Sequence, residues 1–130
     1  MADVETEAEY VDLLLRNGER AGDTKHFQAG EFVFNQGDAG DEMYLVKTGT
    51  VSLRLGDTVL EEVGPRGMFG EMALLEEQPR SLTAIAQSDC ELVAIASDRF
   101  WYLVQDTPYF AQVVMRVMAE RLLRQTGAAN

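Results

Sequence analysis

The residues best suited to chemistry lie between positions 69 and 84, FGEMALLEEQPRSLTA. Gly70 has no side chain, so the backbone there can approach a ligand closely. The apolar run that follows, Met72 to Leu75, reads as a turn of helix whose free N–H groups would face a negative charge. Arg80 offers a planar fork of donors suited to a phosphate. Ionised Glu71 only accepts hydrogen bonds, so it suits a sugar hydroxyl and not a phosphate. Together these residues ask for a ligand carrying both a phosphate and a ribose. Plainer readings stay open on residue types alone. Gly70-Glu71 also fits an ordinary helix start, with Glu favoured by the helix dipole, and Pro79-Arg80 fits a turn with a solvated charge.

The elements that must position this stretch follow from periodicity. Thr6 and Glu9 have capping-box spacing, and Val11, Leu14 and Leu15 share one face, which predicts a helix over 6–17 with Asn17-Gly18 as its stop. From 24 to 96, short strands between turn signals are expected at 24–28, 31–35, 42–47, 49–55, 58–63, 81–87 and 90–96, a pattern that suggests a sandwich or barrel. Gly56-Asp57 is a hairpin turn, and Gly64, Pro65 and Gly67 form a tight loop. The period then becomes helical. Ser97 is the expected cap of a helix to about Gln105, and Thr107-Pro108 opens another, ended by Gly127. Phe110, Val113, Val114, Val117, Met118, Arg121 and Leu122 lie on one face of that last helix.

FGEMALL followed by PRS resembles the phosphate-binding cassette of cyclic nucleotide-binding domains. That family includes protein kinase A regulatory subunits, nucleotide-gated channels and catabolite-activator-type regulators. The upstream segment FQAGEFVFNQGDAGDEMYLVKTGTVSL, residues 27–53, is similar to the family's first strands, and the resemblance covers about residues 24–124. It implies an α+β fold, an antiparallel, jelly-roll-like β-roll with one helix before it and two after. It also implies that Glu71 holds the ribose 2′-OH. Arg80 and Ser81 would hold the cyclic phosphate, helped by backbone N–H groups near Gly70 and Glu71, with Met72 and Ala73 completing the cassette part of the site. Leu82 departs from the family, where many members carry Ala. Family members commonly cover the base with a residue from the C-terminal helices. The candidates here are Arg121, Leu122 and Arg124. The alternative is that Leu122 packs in the core and both arginines are solvated.

Length and composition bound the rest. One domain over 1–130 is expected, with the roll at 24–96, the cassette at 69–81 and the C-terminal helices at 97–125. Net charge is −11, from 22 acids against 11 bases, a balance that repels nucleic acid and anionic lipid at long range. DNA binding is therefore not expected. No apolar run approaches the ~20 residues of a membrane span. The acidic start MADVETEAEY does not resemble a signal peptide, so a cytoplasmic protein is expected. Cys90 reads as a small core residue. His26 stands alone, which argues against a cupin-like metal site, and the acidic loop of Asp38, Asp41 and Glu42 lacks an EF-hand register. No nucleophile–base motif points to an enzyme, and no cofactor is expected. The functional expectation is a cyclic nucleotide sensor for cAMP, with cGMP as second choice, that reports occupancy through its C-terminal helices to an unknown protein effector. The alternative is a ligand-free interaction or scaffold domain that keeps the fold.

Overall fold

The computed structural model describes residues 6–126. Their strands are β1 (Thr24–Phe27), β2 (Phe32–Phe34), β3 (Glu42–Thr48), β4 (Val51–Leu55), β5 (Thr58–Val63), β6 (Met68–Phe69), β7 (Thr83–Ala86) and β8 (Cys90–Ala96). The helices are α1 (Glu7–Arg20), α2 (Glu71–Glu76), α3 (Ser97–Asp106) and α4 (Pro108–Thr126). The strands form two antiparallel sheets, ordered β1-β8-β3-β6 and β2-β7-β4-β5. This is the expected roll, with one helix before it, α2 inside the cassette and two helices after. The stop expected at Gly127 lies outside the described residues.

Side-chain alternation along β3 explains how the layers are joined. Tyr44 and Val46 point between the sheets, against Leu53, Phe69, Ala84 and Leu92. Met43 and Leu45 point the other way, into a second cluster with Tyr10 and Leu14 of α1, Phe100 of α3 and Phe110 of α4. Both faces of β3 are therefore buried, and each fully buried apolar side chain contributes roughly 1.5–3 kcal/mol. Helices α1, α3 and α4 are fixed to the outer face of the first sheet by the second cluster. Cys90 is a buried member of the cluster between the sheets, as its sequence context suggests.

Local signals hold in some places and yield in others. Thr6 caps α1, its hydroxyl accepting from the Glu9 N–H at 3.1 Å. The helix does not stop at Asn17-Gly18. It runs on to Arg20, because Gly18 serves close packing: a Cβ there would sit 2.2 Å from Cγ1 of Val93 on β8. Ser97 is not the cap of α3 but its first helical residue, with Ala96 in the cap position and the Ser97 N–H donating to the Asp41 carbonyl at 2.9 Å. Gly56-Asp57 does turn the β4–β5 hairpin, with Leu55 opposite Thr58. The tight loop ahead of the cassette contains a strand that sequence reading omitted, β6, which pairs Met68 and Phe69 with β3. Phe32 of β2 is exposed while Phe34 is buried, with a register shift between them.

Candidate functional site

A cavity of about 620 Å³ opens among the β4–β5 hairpin, α2, the residues just before β7 and the C-terminal half of α4. Its walls are mostly apolar, with Phe34, Leu53, Leu55, Leu60 and Met118 among them. Of the expected site residues, Gly70, Glu71, Met72, Ala73, Arg80, Ser81, Arg121 and Leu122 all line it. Arg124 does not; its half-exposed side chain instead donates to Glu61 at 3.2 Å.

Arg80 is held from several sides. Its backbone N–H donates to the Asp38 carbonyl and its own carbonyl accepts from the Gly37 N–H, both at 2.8 Å, so the 35–40 loop is tied to it. Its guanidinium donates through Nη1 to the Gly70 carbonyl at 2.8 Å and through Nη2 to the Glu42 carbonyl at 2.5 Å. The Cζ atom lies 4.1 Å from the centroid of the Phe34 ring. Each terminal nitrogen thus spends a hydrogen on a backbone carbonyl, while the buried Nε has no partner. Burial pulls the Arg80 guanidinium below its ordinary pKa, against the opposing pull of Tyr44, Asp41, Glu42 and Asp38. Gly70 makes room for this arrangement. It caps α2 in the left-handed region at φ 84°, and a Cβ there would lie 2.9 Å from Arg80 Nη1.

Glu71 opens α2 and is 1% exposed. Its Oε1 accepts from Nη1 of Arg121 on α4, and its Oε2 is buried without a partner. Burial pushes the Glu71 carboxyl up; Arg121 and the residue's own backbone N–H pull it part of the way back. Arg121 is 8% exposed, so it is neither solvated nor a free edge of α4. Leu122, which the alternative placed in the core, is 62% exposed at the cavity mouth. Leu82 lines the cavity and packs against the cluster between the sheets.

Sequence reading missed Glu61. It accepts from Arg121 Nε at 2.7 Å and from Arg121 Nη2 at 3.0 Å. Strict alternation on β5 would send Leu60 and Glu61 to opposite faces. A register shift, with Leu53 opposite Glu61 but Arg54 opposite Val59, breaks that rule. Leu60 then lines the cavity while Glu61 reaches an arginine that lines it too. His26 is an exposed residue of β1 near Glu91, and no group of metal-ligating side chains occurs among the described residues.

Two antiparallel sheets thus hold the cassette helix so that Glu71 and Arg80 line one cavity, each with its own partners. Residues 24–107 match the sequence profile of the cyclic nucleotide-binding domain, and the chain belongs to that family. It is 37% identical over 119 residues to the cyclic AMP receptor protein of Thermus thermophilus, covering 88% of this chain and 53% of that one. The crystal structure of the Thermus thermophilus catabolite activator protein superposes with a TM-score of 0.71 at 35% identity, over 79% of this chain and 51% of that chain. A structure described for a cyclic-GMP-dependent signalling pathway in bacterial phytopathogenesis gives a TM-score of 0.69 at 28% identity, over 99% of this chain and 100% of that chain. The chain spans about half the length of the first curated relatives or less: 53%, 14% and 26%. Among the described residues, no helix is long and apolar enough to cross a membrane.

Proposed function

We propose that this chain is a non-enzymatic sensor of a cyclic nucleotide, with cAMP as its first ligand and cGMP as the alternative. One observation carries the reading. The two buried side-chain polar atoms without a partner among the described residues are Glu71 Oε2 and Arg80 Nε, and both residues line the same cavity. One is an acceptor and the other a charged donor, and leaving either unpaired in the interior costs about 1–3 kcal/mol or more. A single molecule that relieves both must bring a hydroxyl donor to Glu71 and an anionic acceptor to Arg80. A ribose 2′-OH beside a cyclic phosphate does so, with the Ser81 hydroxyl as a further phosphate donor. The base then lies against the apolar wall that includes Leu60, Met118 and Leu122, and α4 carries the report of occupancy to a protein partner. The names of the relatives, a cyclic AMP receptor protein among them, support the ligand class.

Thermal denaturation with cAMP, cGMP and linear 5′-AMP tests this. Ligand at about 100 times its Kd should add about 2.7 kcal/mol, a shift on the order of 10 °C. The cyclic nucleotides should shift the transition, cAMP at lower concentration, and 5′-AMP should not. No shift with either cyclic nucleotide would favour a scaffold domain without a ligand.

A further inference from the structure

Arg121 sits between two carboxylates, and they hold it in different ways. Glu61 takes the side edge of the guanidinium with both oxygens, from Nε at 2.7 Å and from Nη2 at 3.0 Å. The second hydrogen of Nη2 goes to the Met68 carbonyl at 2.8 Å. Only Nη1 is left for Glu71, and it reaches Oε1 alone. An arginine beside a carboxylate ordinarily uses two parallel hydrogen bonds and fills both oxygens. Here that mode is spent on Glu61, and the Oε2 of Glu71 stays unpaired although the residue is 1% exposed.

We propose that Glu61 is a positioning residue: by occupying the side edge of Arg121, it confines that arginine to one oxygen of Glu71 and reserves the other for a ligand hydroxyl. The inference rests on the cyclic nucleotide reading of the cavity. Glu61 does not itself line the cavity and acts through Arg121. When Glu61 loses its charge, the side edge of Arg121 is released, and the nearest carboxylate is Glu71. Two-oxygen pairing there puts Oε2 out of reach of the ribose.

The test is calorimetry on the full chain with 3′,5′-cAMP and its 2′-deoxy analogue, comparing wild type, Glu61→Gln, Glu71→Gln and, as a charge control, Glu62→Gln at the exposed neighbouring position. Glu61→Gln should weaken cAMP about tenfold, the scale of one charge-assisted hydrogen bond, and the deoxy analogue less than about twofold. The ribose preference should collapse as it does in Glu71→Gln, and Glu62→Gln should behave as wild type. Melting curves establish that each variant is folded. Equal loss for both nucleotides, or no loss for either, overturns the role of Glu61. If wild type prefers the ribose and Glu71→Gln abolishes that preference while Glu61→Gln keeps it, the cavity reading stands and this inference fails. If wild type binds neither nucleotide, both fall together.

Discussion

Arg121, near the end of α4, donates Nη1 to the carboxylate of Glu71 at the start of α2, across 50 residues of chain. The same guanidinium is bound to Glu61 on β5 and to the Met68 carbonyl on β6. One side chain therefore ties the last helix to the cassette and to a strand of each sheet. Removing one member of such a buried group costs more than the intact group contributes, because its partners are left charged and unpaired.

Glu71 makes acidity a probe of the site. Burial holds its pKa above the ordinary glutamate range, with Arg121 only partly compensating. A ligand hydroxyl needs the ionised form as acceptor, so nucleotide affinity should fall as pH drops through that raised value. Stability has the opposite sign: a carboxyl raised in the folded state contributes stability below its unfolded value, ~4.3, and loses it as pH rises through the folded value. Glu42 runs the other way. Burial presses it upward, but hydrogen bonds from Lys25 and Tyr44 outweigh that and hold it below the ordinary range. Its contribution is present above ~4.3 and is lost as pH falls through the folded value. As pH falls through the raised folded value of Glu71, binding should therefore weaken while the apo melting temperature rises, and Glu42 begins to withdraw its contribution only below ~4.3. Titration calorimetry showing the same pH dependence in Glu71→Gln as in wild type would assign the effect to another group.

Arg80→Ala should cost both binding and stability. The guanidinium holds the carbonyls of Gly70 and Glu42, and its buried Nε has no partner. Losing a charge-assisted bond of ~1.5–3 kcal/mol predicts at least a tenfold weaker Kd. Arg80→Lys should recover only part of either property, because an ammonium cannot span both carbonyls and the ligand. A Kd for Arg80→Ala within about threefold of wild type, under 1 kcal/mol, would remove Arg80 from the phosphate site.

The cassette was the legible part of the sequence: Gly70, Glu71 and Arg80 lie within eleven residues, their types named what they could bond, and the resemblance of FGEMALL and PRS to the family's cassette went beyond the plainer readings that types alone left open. The two-residue turn at Gly56-Asp57 was readable for the same local reason. What escaped depended on distant contacts. Gly18 looked like a helix stop, and only its packing against Val93 explains why the helix continues. β6 is two residues long and exists through its pairing with β3, so no periodicity could reveal it. Glu61 was hidden by a register shift, and Arg121 is buried where the alternative had it solvated because Glu61 and Glu71 supply the partners a buried guanidinium needs.

Gly40 is a further position where tertiary packing decides. A Cβ there would lie 2.4 Å from the Ala73 Cβ and 3.0 Å from Arg80 Nε. The first neighbour belongs to α2 and has no rotamer to move. Gly40→Ala should therefore push α2 away from the 35–40 loop, costing about 1–3 kcal/mol, and should crowd Nε of Arg80. Both the melting temperature and the affinity should fall. A melting temperature within about 1 °C of wild type would show that the loop yields freely.

The last prediction concerns how α4 reports occupancy. Met118, Arg121 and Leu122 line the cavity from the C-terminal half of the helix, while Phe110, Val113 and Val114 anchor its first half in the core. The two halves therefore answer to different partners. The anchored half should not change with ligand, whereas the half beyond Met118 carries Arg121, bound to Glu61 and Glu71, Arg124, bound to Glu61, and the exposed Leu122. A nucleotide that pairs with Glu71 and gives Leu122 an apolar surface stabilises this half alone, and ligand binding then shifts the helix population by its differential affinity. Amide hydrogen exchange should slow in α4 beyond Met118 on adding saturating cAMP, with little change around Val113. The size of the effect follows the strength of the new bonding: an interaction worth ~1.5 kcal/mol slows exchange about tenfold. Arg121→Ala should abolish the slowing even at nucleotide concentrations that restore full occupancy. Unchanged exchange in wild-type α4 at saturation, with the cassette protected, would place the report of occupancy elsewhere, in the 35–40 loop or in the β4–β5 hairpin.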